Sequence, residues 1–266
     1  MKNDFLIHKT SKVSYLCFGK GEKLLICFHG FGDRAALFLN IQEALEPNFK
    51  VYAFDLPFHG RTIWNEKTFT KEDFYALIES VLELENKTEF AIMGYSFGGR
   101  ICPILLQKFP TQITNLYLIA PDGFKTKGLN GITWLPRPMR LWVKRRLENP
   151  NWFIKILRFF QRFGLINSSV FSFLILNLKQ PKRRERLFAY WLSVDDFDVK
   201  TEIFEALLRK NKTLTHIFLG RNDPFVPLSK MAILGQKIPN LKIHVLEDGH
   251  KLVNSRLNDC LKSVFK

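Results

Sequence analysis

Six short runs rich in β-branched, aliphatic and aromatic residues punctuate the chain, at 24–30, 51–57, 90–96, 115–121, 214–220 and 241–248, and each runs out into turn residues such as Gly, Pro, Asp or Asn. Continuous apolar runs of this length suit strands buried on both faces, not the alternating pattern of a half-exposed strand. Between them the apolar positions switch to helical spacing at 35–45, 71–85, 97–108, 229–238 and 252–265. Strand alternating with helix predicts an α/β fold, a mostly parallel sheet with helices on both faces. Two earlier runs, 5–8 and 13–18, flank the turn-like stretch 9–12 and predict an opening hairpin, which brings the sheet to eight strands.

The alternation fails over 122–200, which carries no strand signal and holds four of the five Trp: Trp134, Trp142, Trp152 and Trp191. An inserted helical subdomain is expected there, with 1–121 and 201–266 forming the core around it. The charge follows the same division. Residues 124–200 hold 16 Lys and Arg against 5 Asp and Glu, so +11 of the net +15 lies in the insertion. Along 151–163, Phe153, Ile156, Leu157, Phe160 and Phe163 follow helical spacing, while Lys155, Arg158 and Arg162 share another face. That makes an amphipathic basic helix. Its basic face is open to three readings: solvated surface, attraction for anionic substrates or products, and peripheral contact with an anionic membrane.

Composition narrows the remaining classes. An apolar content of 46% over 266 residues excludes a disordered or fibrous chain and allows one large domain with an insertion. The apolar stretch 170–178 is interrupted by Ser172 and Asn177 and falls far short of the roughly 20 residues a membrane-crossing helix needs. The polar N-terminal segment lacks the apolar core of a secretory signal. Cys17, Cys27, Cys102 and Cys260 lie singly in apolar surroundings, as reduced core thiols do. A cytoplasmic, soluble protein is expected. Basic runs at 144–146 and 182–186 come without any nucleic-acid-binding signature, so no nucleic-acid partner is expected.

The strongest chemical signal is Gly94-Tyr95-Ser96-Phe97-Gly98, directly after a predicted strand and before a predicted helix. Small residues on both sides let the chain reverse sharply and leave the serine hydroxyl projecting from the sheet edge. A serine hydroxyl is a weak nucleophile at neutral pH; it needs a base, and the base needs an acid to fix its tautomer. Asp223 and His250 follow the ends of the last two predicted strands, where open parallel sheets place their sites. Asp122, at the end of the 115–121 strand, is the rival acid. Asp223 also reads as a turn former ahead of Pro224, and His29 and His59 read as imidazoles that tie loops together. No Cys, His and carboxylate cluster has metal-ligand spacing, so neither a metal nor a cofactor is expected.

His29-Gly30-Phe31-Gly32, Asp55-Leu56-Pro57-Phe58-His59-Gly60, the serine elbow, Gly220-Arg221-Asn222-Asp223 and Asp248-Gly249-His250 occur in an order that resembles the alpha/beta-hydrolase superfamily. The resemblance covers the chain outside the insertion. It implies Ser96 as nucleophile, His250 as general base, Asp223 as its acid, and the backbone N–H groups of Phe31 and Phe97 as the oxyanion hole. It also implies that the insertion is a lid. Tyr95, Arg100, Trp134 and Trp142 are the expected substrate-binding side chains, and the aromatic lid suggests a small, apolar carboxylic ester.

Gly94 to Arg100 also resembles the elbow of the menaquinone-pathway synthase that makes a succinyl-hydroxy-cyclohexadiene-carboxylate, in which the arginine holds a polyanionic substrate. A non-catalytic ligand-binding protein on the same scaffold is the remaining alternative. Carbon–carbon hydrolases of ring-cleavage products fit less well, since their Asn before the nucleophile is Tyr95 here and their Trp after the histidine is Lys251. Dehalogenases are excluded by their Asp nucleophile.

Overall fold

β1 (Lys2–His8) and β2 (Ser11–Phe18) form the opening antiparallel hairpin, and β2 joins the sheet by pairing antiparallel with β4 (Phe49–Phe54). β3 (Lys23–Phe28), β5 (Phe90–Tyr95), β6 (Ile113–Ile119), β7 (Leu214–Gly220) and β8 (Leu241–Leu246) complete it. The structure is a computed structural model that describes residues 1–123, 137–146, 149–166, 168–211, 213–226 and 228–265. Among these the sheet has eight strands in the order β1-β2-β4-β3-β5-β6-β7-β8, parallel from β4 onward. The sheet is the one the apolar runs predict. After β3 the chain steps outward to β4, then returns to place β5 on β3's other side. This reversal is the crevice at which ligands bind in open α/β sheets.

Central strands are predominantly apolar because both faces are covered. Ile26, Phe28, Ile92, Leu118, Ile217 and Phe218 are fully buried, and each such side chain contributes about 1.5–3 kcal/mol by leaving water. β8, at the sheet edge, is half-exposed along most of its length, and Lys242 and His244 interrupt its apolar residues, so its run does not mark burial on both faces as the interior runs do.

The spacing after β3 predicts one helix over 35–45. Instead Ala35–Ile41 winds as a 3-10 helix before a single turn, α1 (Gln42–Leu45). The Ala35 N–H is held by Asp55 Oδ1 at 2.7 Å, and Leu37 N–H bonds back to Arg34. That tether sets the tighter i→i+3 pattern at the start of the segment. α2 (Lys71–Glu85) opens on a capping box in which Thr70 N–H donates to Asp73 Oδ2, and it closes on Asn86 in the left-handed region. α3 (Phe97–Lys108) follows the serine elbow.

The chain clusters into two compact units. One comprises residues 1–66, 70–125 and 197–266 and contains the whole sheet. The other comprises 67–69 and 126–196, with α4 (Arg137–Arg146), α5 (Asn151–Arg162), α6 (Ser168–Lys179) and α7 (Pro181–Ser193). Its buried residues include Leu178, Leu187, Phe188 and Val194, together with Arg140, whose guanidinium bonds the Trp191 carbonyl at 2.8 Å and Asp195 at 2.7 Å. Back in the first unit come α8 (Thr201–Asn211), absent from the sequence reading, then α9 (Leu228–Lys237) and α10 (Ser255–Val264). α10 starts three residues later than its apolar pattern, because Asn254 caps it by accepting from Leu257 N–H.

On α5 the expected faces are redrawn. The buried positions are Ile154 and Leu157, whereas Ile156, Phe160 and Phe163 of the expected apolar face are exposed. The helix is apolar over a wider arc than one packing partner can cover, so spacing alone could not select the side that faces inward.

Candidate active site

Ser96 sits between β5 and α3 with φ 51° and ψ −113°, a conformation that costs an L-residue about 1–3 kcal/mol. Three backbone bonds hold it there. Ser96 N–H donates to the Ile119 carbonyl, and the Ser96 carbonyl accepts from Gly99 and Asp122 N–H, each at 2.9 Å. The flanking glycines are required by close approach: a Cβ at Gly98 would overlap the Phe28 carbonyl, and one at Gly94 would overlap the Gly98 carbonyl.

His250 follows β8. Its Nε2 lies 2.9 Å from Ser96 Oγ and its Nδ1 lies 2.7 Å from Asp223 Oδ2. A carboxylate only accepts, so Nδ1 carries the proton and Nε2 is left to accept from the serine hydroxyl. Asp223, whose side chain is fully buried, also accepts at Oδ1 from Phe225 N–H (2.8 Å) and Val226 N–H (3.3 Å). Asp223 thus closes the turn with one oxygen and faces His250 with the other. The loops carrying the two residues are stitched together by Arg221 N–H to the Leu246 carbonyl and Asn222 N–H to the Asp248 carbonyl. Asn254 extends the stitching by donating to Asp248 Oδ2 at 2.7 Å, which links the α10 cap to the histidine loop.

The loop after β3 is fixed by the two histidines. His29 Nε2 accepts from Leu56 N–H (3.0 Å), and His59 Nε2 accepts from Gly32 N–H (2.9 Å). Asp33 N–H closes a turn on the Gly30 carbonyl with Gly32 at φ 90°, so Phe31 is held at the turn's centre. Asp55 supports both sides, accepting from Ala35 N–H and Arg61 N–H. Phe97, the second expected oxyanion-hole residue, is the first residue of α3, where N–H groups have no intrahelical acceptor.

The other expected site residues are placed as follows. Tyr95 is buried; its hydroxyl donates to the His250 carbonyl at 3.1 Å, its ring lies 5.7 Å from the imidazole, and burial pushes its phenol pKa up. Arg100 is buried on α3 and ion-pairs with Asp122 (3.2 Å) and Asp198 (3.4 Å). Asp122 thus directs its carboxylate to Arg100, while Asp223 meets His250. Trp142 is exposed on α4, and Trp134 lies outside the described residues.

Two residues escaped the sequence reading. Phe225 packs its ring edge-on against His250 at 5.0 Å. Asp33 is half-buried beside Ser96: a Cβ at Gly30 would lie 3.0 Å from its Oδ2 and 3.1 Å from Ser96 Cβ. Burial raises the Asp33 pKa, against the opposing charges of Lys251 and His250. Its only sequence signal is its place three residues after Gly30, the closing position of a turn.

With this fold and these motifs in place, the chain belongs to the alpha/beta hydrolase fold family, whose model matches residues 23–253. It is a hydrolase-class enzyme. Among named relatives, a poly(3-hydroxyalkanoate) depolymerase of Ectopseudomonas oleovorans is 24% identical, over 91% of this chain and 83% of its own. A 2-hydroxy-6-oxononadienedioate/2-hydroxy-6-oxononatrienedioate hydrolase of Escherichia coli K12 is also 24% identical, over 91% and 85%. A thermophilic esterase from Thermogutta terrifontis superimposes with a TM-score of 0.72 at 16% identity, covering 100% of this chain and 98% of that one. Among the described residues, no helix is long and apolar enough to cross a membrane.

Proposed function

We propose that the protein hydrolyses a neutral, apolar carboxylic ester through Ser96, His250 and Asp223. The observation that carries the reading is the hydrogen-bonded run from Ser96 Oγ to His250 to the buried Asp223 carboxylate, at 2.9 and 2.7 Å, on a strained elbow. Ser96 Oγ attacks the carbonyl carbon as its proton passes to His250 Nε2, and the N–H groups of Phe31 and Phe97 receive the oxyanion. The imidazolium then protonates the leaving alkoxide. Water, deprotonated by the same Nε2, attacks the acyl-enzyme and restores the serine. By its place in the chain after β6, the insertion is the segment that fills the lid role in this family.

Asp33 bears on the substrate. Asp33 lies half-buried beside Ser96, and its carboxyl group offers no counter-charge to an anionic acyl group. The engagement of Arg100 with Asp122 and Asp198 likewise weighs against the polyanionic substrate of the menaquinone-pathway alternative. The depolymerase relative acts on a polyester, in line with an ester substrate; the dienedioate hydrolase would favour a carbon–carbon bond. Tyr95 and Lys251 stand where that second group carries Asn and Trp.

The test is an acyl-chain series of neutral p-nitrophenyl esters beside an anionic ester and a ring-cleavage diketone. Wild type should turn over neutral esters and label with a fluorophosphonate, and Ser96→Ala should lose both by several orders of magnitude. Turnover confined to the diketone or to the anionic substrate would replace the ester reading, and undiminished labelling of Ser96→Ala would remove Ser96 as nucleophile.

A further inference from the structure

α5 carries three faces at once. Ile154 and Leu157 face inward. Trp152, Ile156, Phe159 and Phe163, spaced i, i+4, i+7 and i+11, form a second apolar stripe that faces solvent, with Trp152 43%, Phe159 59% and Phe163 62% exposed. Lys155, Arg158 and Arg162 run along the adjacent flank, and the helix contains no Asp or Glu. A surface helix normally covers its large apolar side chains; four of them aligned on an open face mark an interaction surface.

The stripe is held in shape. Phe159 and Phe163 meet with ring centroids 4.8 Å apart and planes tilted by 56°, and Trp152 Nε1 donates to the Arg146 carbonyl at 3.1 Å. The Arg146 guanidinium lies over the Trp142 ring at 5.4 Å, which carries the aromatic and basic character back onto α4.

We infer that this face of α5 docks on an anionic lipid surface, with the aromatic stripe entering the headgroup–acyl boundary and the three cations meeting lipid phosphates. Charge complementarity selects this occupant. A second copy of the chain would oppose the same three cations to each other, with no carboxylate on α5 to pair them. A neutral apolar surface would leave them without a counter-charge. A bilayer with anionic headgroups satisfies both flanks, and the helix, about 18 Å long, lies along the plane as interfacial helices do. The inference is independent of the ester reading, because it uses no residue of the Ser96 site.

The experiment is flotation of the full chain with vesicles of phosphatidylcholine alone and of phosphatidylcholine mixed equally with phosphatidylglycerol. Binding should be confined to the anionic vesicles, weaken with salt, and shift tryptophan emission to the blue. Phe159→Ser with Phe163→Ser should abolish it. The triple variant Lys155→Glu, Arg158→Glu, Arg162→Glu should lower the partition coefficient by about fivefold per charge removed, on the order of a hundredfold or more in all. All these positions are exposed, so circular dichroism and soluble-ester turnover should match wild type, and Ser96→Ala should bind like wild type. Equal binding to both vesicles, or none to either, overturns the inference. So does concentration-dependent dimerisation that the Phe159→Ser variant abolishes, or salt-insensitive adsorption to neutral polyester particles without vesicle binding.

Discussion

Asp223 does two things with two oxygens: Oδ1 closes a turn onto Phe225 and Val226 N–H, and Oδ2 receives His250 Nδ1–H. Asn at this position keeps the turn acceptor but offers its amide group to Nδ1, which favours the wrong tautomer. Asp223→Asn should therefore fold normally and lose about 10⁴-fold in kcat, the cost measured for the corresponding change in a serine protease triad. Asp122→Asn should leave kcat within tenfold and lower the melting temperature, because it weakens the ion pair to the buried Arg100 guanidinium. Steady-state kinetics and thermal melts on the pair check this, and the opposite ranking of kcat would transfer the acid to the end of β6. The turn position and the proposed acid position of Asp223 are not separable in sequence, since either places Asp before Pro224.

At the scale of elements, β7 and β8 meet through two stacked imidazoles. His216 Nδ1 and His244 Nε2 are 3.0 Å apart, with ring planes 11° from parallel, and Tyr117 and Phe218 lie alongside. Burial, then the charges of His244 and Lys242, pushes the His216 pKa down to about 4; burial and Lys242 lower that of His244 as well. The neutral form is thus favoured in the fold. The stability it confers is fully present above the unfolded value of 6.5 and is lost as pH falls from there through about 4, where the unfolded chain binds more protons. Chemical denaturation at pH 7 and pH 5 should show a loss of about 1–2 kcal/mol from this pair, discounted for screening at the open edge. His216→Phe, which keeps the ring stack, should shrink that difference, and an unchanged difference would assign the acid sensitivity elsewhere. α5 makes a complementary point about elements: its periodicity announced a helix, but three distinct faces on 12 residues left the inward side to be set by packing.

For the molecule as a whole, the net charge of +15 is lopsided, with +11 over 124–200. Like charges gathered in one part of the chain repel in the compact state more than in the unfolded one. Salt shortens their reach, to a Debye length of about 8 Å at physiological strength. The melting temperature should therefore rise by a few degrees between a few millimolar and 0.15 M sodium chloride, in the absence of vesicles. A calorimetric scan across that range checks it; a fall would mean that attractive pairs such as Lys50–Glu85 and Lys262–Glu43 outweigh the net repulsion.

The sheet was legible in the chain because the interior strands are buried on both faces over most of their length and leave predominantly apolar runs. The elbow was legible because the backbone around Ser96 tolerates only glycine at 94 and 98. Strand order, and with it the meeting of Ser96, Asp223 and His250 from three strand ends, was implied by motif order but realised only by the crossover that sets β5 beside β3. The 3-10 start at Ala35 was decided by Asp55, from the next strand's end. The helix of α8 and the second face of α5 were hidden for the same reason: local spacing records that side chains are apolar, whereas which of them leave water depends on what the rest of the chain brings against them.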